Sequence, residues 1–201
     1  MNSIGGLREF CAELANEQPS PGGGSASAAA GAMAASLLAM VCGITAKSKK
    51  HESEKPELQR LRVELIALAD ELTSLALEDA LAYDGVIDAA RHRSEPNESE
   101  GVRRFGATLR HAAEVPLKTA GACALVLDLA PQVASLGKKS ASSDVIVAVL
   151  LAEAGLKGAA ANVRINTKDM EDPEFVKSSD DRLRSLERSA RKLAGDVLGR
   201  T

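Results

Sequence analysis

The chain has 201 residues, of which 45% are hydrophobic and 2% are aromatic, and its formal net charge is -3 at pH 7. This length and hydrophobic content suit one sizeable core, so we expect a single domain over residues 1–201. Because the charge is slightly negative, with no basic tail and no aromatic residues interleaved with basic ones, the composition argues against a nucleic-acid-binding protein.

Alanine and leucine dominate the sequence and no stretch alternates as a β-strand would, so we predict an all-α protein. The first predicted helix spans about Ser3–Asn16, because apolar residues recur at helical spacing at Ile4, Leu7, Cys11 and Leu14. This helix is short and amphipathic, and the prolines that follow end it.

A loop rich in proline and glycine comes next, Pro19–Ser25 with the sequence P-S-P-G-G-G-S. Gly22, Gly23 and Gly24 carry no Cβ, and Ser25 is a good N-cap for the helix after them. Bare amides at a helix N-terminus form a site for a carboxylate or a phosphate. Two interpretations remain open, an anionic ligand or a tight loop without a ligand. Neither of the two common nucleotide-binding glycine motifs is matched.

The segment Ser25–Thr45 is uncharged and rich in alanine. It is long enough to span a bilayer, but it consists mostly of Ala, Ser and Gly, and we expect no second segment of this kind. We therefore interpret it as a buried central helix of a protein without a membrane partner. Its small residues Gly31, Ala35 and Ala39 allow another helix to approach closely, either from the same chain or from a partner subunit.

A long helix is predicted over Pro56–Ala90, with the proline in its first turn. Its apolar stripe has the near-heptad spacing of a helix that packs along a bundle, with Leu58, Leu61, Leu65, Leu68, Leu72 and Leu75. The next position on this stripe is Asp79, and Tyr83 follows one turn later. A carboxylate therefore interrupts the apolar seam.

An Asp on an apolar stripe requires an explanation, because burying a carboxylate without a partner costs several kcal/mol. Asp79 therefore either has a partner that satisfies it or is held for function with a raised pKa. The alternative is that the helix rotates off the heptad repeat and leaves Asp79 exposed.

The middle of the chain is expected to be less regular. The polar stretch Arg91–Gly101 is predicted to be a loop. Helical sequence follows from about Val102, and we expect Pro116 to kink or break that helix. Pro131 and Gly137 are expected to interrupt it again.

Two further helices complete the chain. A turn is predicted over Gly137–Ser143, followed by a helix over about Asp144–Asn166. Asp172 and Pro173 have the chemistry of an N-cap and a first helical residue, so we predict that the last helix starts there and ends near Gly199.

Several polar residues of the fifth predicted helix are candidates for a site. Asp144 lies in the first turn, where complementing the helix dipole is sufficient to explain it. Asn162 and Asn166 lie one turn apart on one face, with Arg164 between them. Asn166 is either a C-cap or part of a site for a ligand that has a heterocyclic amide edge and a carboxylate.

We expect no metal site, because neither the histidines nor the cysteines have metal-ligand spacing. Each histidine lies beside charged residues and is interpreted as solvated: His51, His92 and His111. The cysteines are interpreted as reduced core thiols of a cytoplasmic protein: Cys11, Cys42 and Cys123. Met1–Phe10 contains no apolar run, so export is not indicated.

Several segments in order resemble the cyclodeaminase/cyclohydrolase family, which includes the C-terminal domain of formiminotransferase-cyclodeaminase and the free-standing methenyltetrahydrofolate cyclohydrolase. The resemblance spans nearly the whole chain, and several motifs in the right order are more specific than any one. These motifs are P-x-P-G-G-G-S at Pro19–Ser25, M-V-C-G-I-T at Met40–Thr45, D-A-L-A-Y at Asp79–Tyr83, E-V-P-L at Glu114–Leu117, S-D at Ser143–Asp144 and N-V-R-I-N at Asn162–Asn166.

The resemblance implies a largely antiparallel helical bundle that forms a homodimer. It implies a tetrahydrofolate substrate bound in a cleft near the dimer interface, without a metal, a nucleotide or another cofactor. Asp79 is similar to the catalytic carboxylate of the family. The residues assigned to substrate binding are Gly22, Gly23, Gly24, Ser25, Tyr83, Asp144, Asn162 and Asn166.

This chain departs from the family pattern in two places. The family usually has L-P-K-x-T after the long helix, whereas this chain has R-S-E-P-N at residues 93–97. The usual Gly-Asn ahead of Ser-Asp is here Gly137-Lys138. These changes either shift the substrate, weaken activity or are compensated by Arg91, Arg93 and Lys138.

The resemblance leads us to expect a methenyltetrahydrofolate cyclohydrolase, which hydrolyses 5,10-methenyltetrahydrofolate to 10-formyltetrahydrofolate. This expectation rests on the lack of a formiminotransferase domain in the chain. The alternative activity is that of a formiminotetrahydrofolate cyclodeaminase, which releases ammonia. An alternative of another class is a folate-binding helical dimer without catalytic activity.

Overall fold

The computed structural model describes residues 3–91, 98–168 and 170–199, and these residues form six α-helices. The helices are α1 (Ser3–Leu14), α2 (Gly23–Ala46), α3 (Lys55–Arg91), α4 (Glu98–Leu136), α5 (Ser142–Thr167) and α6 (Pro173–Leu198). Single turns of 3₁₀ helix precede α3 and α5, at Lys49–His51 and Lys139–Ala141. No strand occurs in this described part, and the prediction of an all-α protein is confirmed.

Helix α2 lies at the centre of the bundle and packs against α3, α4 and α5. Its small residues serve packing within the chain. A Cβ added at Gly31 would lie 2.6 Å from Sγ of Cys123 and 3.1 Å from Leu72, and one added at Gly155 of α5 would lie 2.8 Å from the carbonyl oxygen of Ser27. The close approach predicted for α2 is therefore made by helices of the same chain, which places the backbones of α2 and α5 side by side.

The leucine stripe of α3 supplies one side of the core. Its predicted members are all buried: Leu58, Leu61, Leu65, Leu68, Leu72 and Leu75. Each fully buried leucine contributes about 1.5–3 kcal/mol from the removal of apolar surface from water. The stripe holds α3 against α2 and α4, and it carries Asp79 toward the same interior.

Helix α4 differs from the prediction, because it continues through both Pro116 and Pro131. A proline inside a helix removes one backbone hydrogen bond and costs about 3 kcal/mol or more. Packing offsets this cost, since α4 contacts α2, α3, α5 and α6, and Val115 and Leu117 beside Pro116 are buried. A break at Pro116, one of the two outcomes expected there, does not occur, and the interruption expected at Pro131 was wrong, whereas α4 ends at Leu136, just before Gly137.

The prediction that only one segment resembles a membrane span was also wrong. Gly23–Ala46 and Arg103–Leu136 are both long and apolar enough to qualify, with mean hydropathies of 1.8 and 1.4. About half of each apolar window is buried inside the protein, 50% and 56% respectively. The core helices of a helical bundle are equally long and apolar, so the length and composition of these two helices are weak evidence that they span a membrane.

Candidate active site

A pocket of about 300 Å³ opens between the first turn of α2, the second half of α3, the first half of α4 and the last turns of α5. Most of the predicted site residues line it: Gly22, Gly23, Gly24, Asp79, Tyr83, Asn162 and Asn166. They are up to 144 positions apart in sequence, as between Gly22 and Asn166. Packing of α2 against α3 and α5 brings them together.

The glycine loop leads into α2 earlier than predicted. Gly22 is the N-cap, with φ -131° and ψ -151°, and Gly23 is the first helical residue. The interpretation of Ser25 as the N-cap was therefore wrong, because extended backbone at Gly22 makes that residue the N-cap, three residues before Ser25. Ser25 is fully buried within the first turn and is not among the residues that line the pocket.

The carboxylate of Asp79 lies directly on the first turn of α2. Oγ of Ser25 donates a hydrogen bond to Oδ2 of Asp79 at 3.0 Å. A Cβ added at Gly24 would overlap this carboxyl group, at 2.5 Å from Cγ and 2.6 Å from Oδ2. The glycine loop left two interpretations open, an anionic ligand at this helix N-terminus or no ligand. In the structure the N-terminus of α2 faces a carboxylate of the protein itself, that of Asp79.

Two opposing effects set the acidity of Asp79. Burial raises its pKa because the charged form loses water, and the hydrogen bonds from the side chain and backbone of Ser25 lower it. Burial dominates, so the pKa of Asp79 is raised above its usual value. A carboxylate with a raised pKa accepts a proton more readily than an ordinary aspartate, which suits general acid-base chemistry.

The two asparagines of α5 have fixed amide orientations. Nδ2 of Asn162 donates to the carbonyl oxygen of Gly158 at 2.9 Å, and Nδ2 of Asn166 donates to the carbonyl oxygen of Ala112 at 2.7 Å. Because a flipped amide would place two oxygens against each other, these contacts assign nitrogen and oxygen. Each Oδ1 is left without a donor among the described residues and is available to accept a hydrogen bond in the pocket.

The electrostatic character of the pocket follows from its lining. No Lys, Arg or His of the described residues lines it, while the carboxylate of Asp79 and the two amide oxygens do. Such a lining favours a ligand that carries N–H donors or a positive charge. The apolar walls come from Val86, Leu109 and Ile165.

Arg164 does not join the amide pair. Its guanidinium forms a bidentate ion pair with the carboxylate of Glu187 on α6, with both nitrogens at 2.9 Å from an oxygen. The interpretation in which Arg164 binds a ligand carboxylate beside the asparagines was therefore wrong. Arg164 lies on the side of α5 opposite to Asn162 and Asn166, and it does not line the pocket. The C-cap interpretation of Asn166 was also wrong, since α5 continues to Thr167.

Asp144 lies far from the pocket within one chain. It is in the first turn of α5, whereas Asn162 and Asn166 are in the last turns of this helix. At a rise of about 1.5 Å per residue, about 27 Å of helix separates Asp144 from Asn162. The structure therefore does not bring Asp144 to the other predicted site residues, and its position fits the helix-dipole interpretation.

Only one of the two departures from the family pattern falls in the part of the chain that the structure describes. Residues 93–97 lie outside the described residues. Lys138 lines a separate pocket of about 450 Å³ at the start of α5, and its backbone N–H donates to Oγ1 of Thr45 at 3.2 Å. Lys138 therefore does not supply the pocket around Asp79 with a positive charge.

Sequence reasoning missed the wall that α4 contributes. Leu109 and Ala112 carry no signal of their own, because apolar residues on a helix most often belong to the core. Ser20 also lines the pocket, and its hydroxyl donates to the carbonyl oxygen of Ala80 at 3.3 Å. The nearby E-V-P-L motif, with Pro116 one turn after Ala112, was the signal that could have indicated this wall.

Metal-ligand side chains do not cluster in the part of the chain that the structure describes. No group of three or more His, Cys, Asp or Glu side chains there could hold a metal ion. His111 is about half exposed, with Nε2 at 3.7 Å from the carboxylate of Glu78, and His92 lies outside the described residues. The described cysteines are all free, and burial raises the pKa of Cys42 to about 11 and that of Cys123 to about 12.

Comparison with known proteins gives consistent relatives. The sequence profile of the formiminotransferase-cyclodeaminase family matches residues 6–185. A methenyltetrahydrofolate cyclohydrolase of Methylorubrum extorquens is 37% identical over 183 residues, which cover 90% of this chain and 86% of that protein. The formimidoyltransferase-cyclodeaminase of Mus musculus is 35% identical over 197 residues, which cover 96% of this chain.

The chain spans only 36% of the length of the mouse protein. Among solved structures, the crystal structure of a formiminotetrahydrofolate cyclodeaminase from Thermotoga maritima matches with a TM-score of 0.86 and 29% sequence identity. The match covers 95% of this chain and 92% of that chain. The similarity in sequence and the similarity in fold therefore both extend over nearly the whole of this chain.

Proposed function

Because this chain belongs to the formiminotransferase-cyclodeaminase family, we propose that it is a tetrahydrofolate one-carbon enzyme which hydrolyses 5,10-methenyltetrahydrofolate to 10-formyltetrahydrofolate. The observation that carries this proposal is the half-buried carboxylate of Asp79 in a pocket without cationic side chains among its described lining residues. The one-carbon bridge of the substrate is a cation between two nitrogens. A pocket of this kind would stabilise that cation.

In the proposed mechanism Asp79 moves one proton. Water adds to the cationic carbon, and Asp79 accepts a proton from it as the C–O bond forms. The C–N5 bond then breaks, and the proton held by Asp79 passes to N5. The second proton of the water is released as the carbonyl of the formyl group forms on N10. General acid-base assistance of this kind typically contributes about 100- to 10,000-fold in rate.

The polar lining supports the binding of a pterin-like heterocycle. Oδ1 of Asn162 and Oδ1 of Asn166 are acceptors, and both residues line the same pocket as Asp79. The ring N–H groups of a reduced folate are donors that would match these acceptors. In this proposal Gly22, Gly23 and Gly24 form the floor against which the ring lies.

A second candidate activity is the release of ammonia from formiminotetrahydrofolate, which the names of the mouse and Thermotoga maritima relatives suggest. There N10 of the folate attacks the formimino carbon, ammonia leaves, and the same carboxylate transfers the proton. That reaction requires the exclusion of water. In the single chain Tyr83 is 38% and Ile165 is 64% exposed at the pocket, so the cyclodeaminase reaction requires a cover from the substrate or from a second copy of the chain.

A paired assay tests the proposal. The loss of methenyltetrahydrofolate absorbance is measured beside ammonia release from formiminotetrahydrofolate, with the Asp79→Asn variant as the control for spontaneous hydrolysis. We expect hydrolysis of the methenyl compound without ammonia release. Ammonia release without hydrolysis would establish the cyclodeaminase instead, and folate binding without either reaction would establish a non-catalytic binding protein.

The proposal includes a homodimer with an antiparallel arrangement of consecutive helices. Short connections support the antiparallel arrangement, because residues 47–54 join α2 to α3 and residues 137–141 join α4 to α5. Exposed apolar side chains support the dimer, with Met33 and Met40 of α2 at 44% and 41% exposure and Leu77 of α3 at 68%. A second copy of the chain would cover this surface.

We further propose that the enzyme acts in the cytoplasm and without a metal or another cofactor. The free thiols of Cys42 and Cys123 support a reducing compartment. The cationic carbon of the substrate is already electrophilic, so the chemistry needs only a positioned water and a group that transfers a proton.

A further inference from the structure

Pro116 is buried inside α4, about one turn after the pocket-lining Ala112, and the helix continues through it. In an α-helix the N–H of residue 116 would donate to the carbonyl oxygen of residue 112. Proline has no N–H, and its ring pushes the carbonyl of the residue four positions earlier away from the helix axis. The carbonyl of Ala112 therefore loses its helical donor at the wall of the pocket.

Asn166 of α5 supplies the missing donor. Its Nδ2 donates to the carbonyl oxygen of Ala112 at 2.7 Å, the shorter of the two asparagine contacts at this site. Because a carbonyl accepts but never donates, this contact forces nitrogen toward α4 and leaves Oδ1 for the pocket. Pro116 and Asn166 come from separate motifs of the sequence, E-V-P-L and N-V-R-I-N.

We propose that Pro116 is a positioning residue for substrate recognition, which acts by freeing the carbonyl of Ala112 to hold Asn166 with its amide oxygen toward an N–H donor of the substrate. This inference rests on the proposed function for the identity of the substrate. It accounts for a proline in the middle of a long helix, where an alanine would favour the helix itself. The helical stability that Pro116 costs is thereby linked to the contact between Asn166 and the substrate.

The test is the Pro116→Ala variant, with Pro131→Ala as the matched control. Pro131 is also inside α4, but the residue four positions before it, Leu127, does not line the pocket, whereas Ala112 does. In Pro116→Ala the new N–H draws the Ala112 carbonyl back to the helix axis, so Asn166 loses its alignment. We expect an unchanged or higher Tm, a KM raised roughly five- to tenfold and a kcat within about twofold, the effect of losing one neutral hydrogen bond. Pro131→Ala should leave KM unchanged.

A double-mutant cycle separates positioning from general damage. Asn166→Ala should raise KM by at least as much as Pro116→Ala, and Pro116→Ala should add nothing in the Asn166→Ala background. Additive effects on KM would overturn the proposal, as would a Pro116→Ala variant with unchanged KM.

A measurement that needs no turnover keeps the proposal testable if the proposed function fails. The side-chain NH₂ resonances of Asn166, identified by their absence in Asn166→Ala, should shift in Pro116→Ala and stay in place in Pro131→Ala. A shift without folate turnover in the wild type would refute the proposed function and retain the positioning contact. Unshifted resonances beside normal wild-type turnover would refute the positioning contact alone.

Discussion

Replacing Gly24 by alanine should separate catalysis from folding, because the new methyl group would lie on the carboxyl group of Asp79. The Cβ position is 2.5 Å from Cγ and 2.6 Å from Oδ2 of Asp79, whereas ordinary contacts begin at about 3.5 Å. The carboxyl group must therefore move by about 1 Å. A displacement of this size costs roughly 100-fold in rate when it affects a catalytic group, so we expect kcat to fall by about 100-fold.

Gly23→Ala is the matched control, since its Cβ would lie 3.4 Å from Nδ2 of Asn162, an ordinary contact. Both changes replace glycine by alanine in the first turn of α2, and each gains about 0.5–1 kcal/mol of intrinsic helix stability. Because Gly23 belongs to the proposed floor under the substrate ring, Gly23→Ala should raise KM, but we expect it to retain kcat and to gain thermal stability. The assay is the loss of methenyltetrahydrofolate absorbance at saturating substrate, beside Tm. A Gly24→Ala enzyme with near-native kcat would refute the placement of Asp79 against this turn.

Three further outcomes are expected. Asp79→Asn should lower kcat by about 100-fold or more. Because the pKa of Asp79 is raised in the folded state, the ionised carboxylate costs stability at neutral pH. The Tm of the variant should therefore equal or exceed that of the wild type at pH 7, and the difference should shrink as the pH falls through the pKa of Asp79. Ser25→Ala removes a hydrogen bond that lowers this pKa, so the acidic limb of the kcat/KM profile should move to higher pH, and an unmoved limb would contradict the geometry. Light scattering should give twice the mass of one chain, and the double change Met33→Glu and Met40→Glu should give a monomer; a monomeric wild type would refute the proposed dimer.

The elements of the fold were readable from local pattern wherever one physical cause dominated. The leucine spacing placed α3 within one residue of its observed ends, and Asp172 with Pro173 fixed the start of α6, where Oδ1 of Asp172 accepts from the N–H of Phe175 at 3.0 Å. The break expected at Pro116 failed because local propensity was outweighed by packing against four other helices. The prediction that Arg164 binds a ligand was wrong for a similar reason, since its ion-pair partner Glu187 is on another helix.

The sequence by itself determined an all-helical chain with a carboxylate on the apolar seam at Asp79, because helical periodicity and the cost of burying charge are local properties of the residues. Only the tertiary structure decided which groups face that carboxylate. Crossing of α2 over α3 puts Ser25 and Gly24 against Asp79, and packing of α4 against α5 joins Ala112 to Asn166. These contacts link residues 54 or 55 positions apart. No local pattern encodes them, because they depend on where whole helices come to lie once their apolar faces are buried.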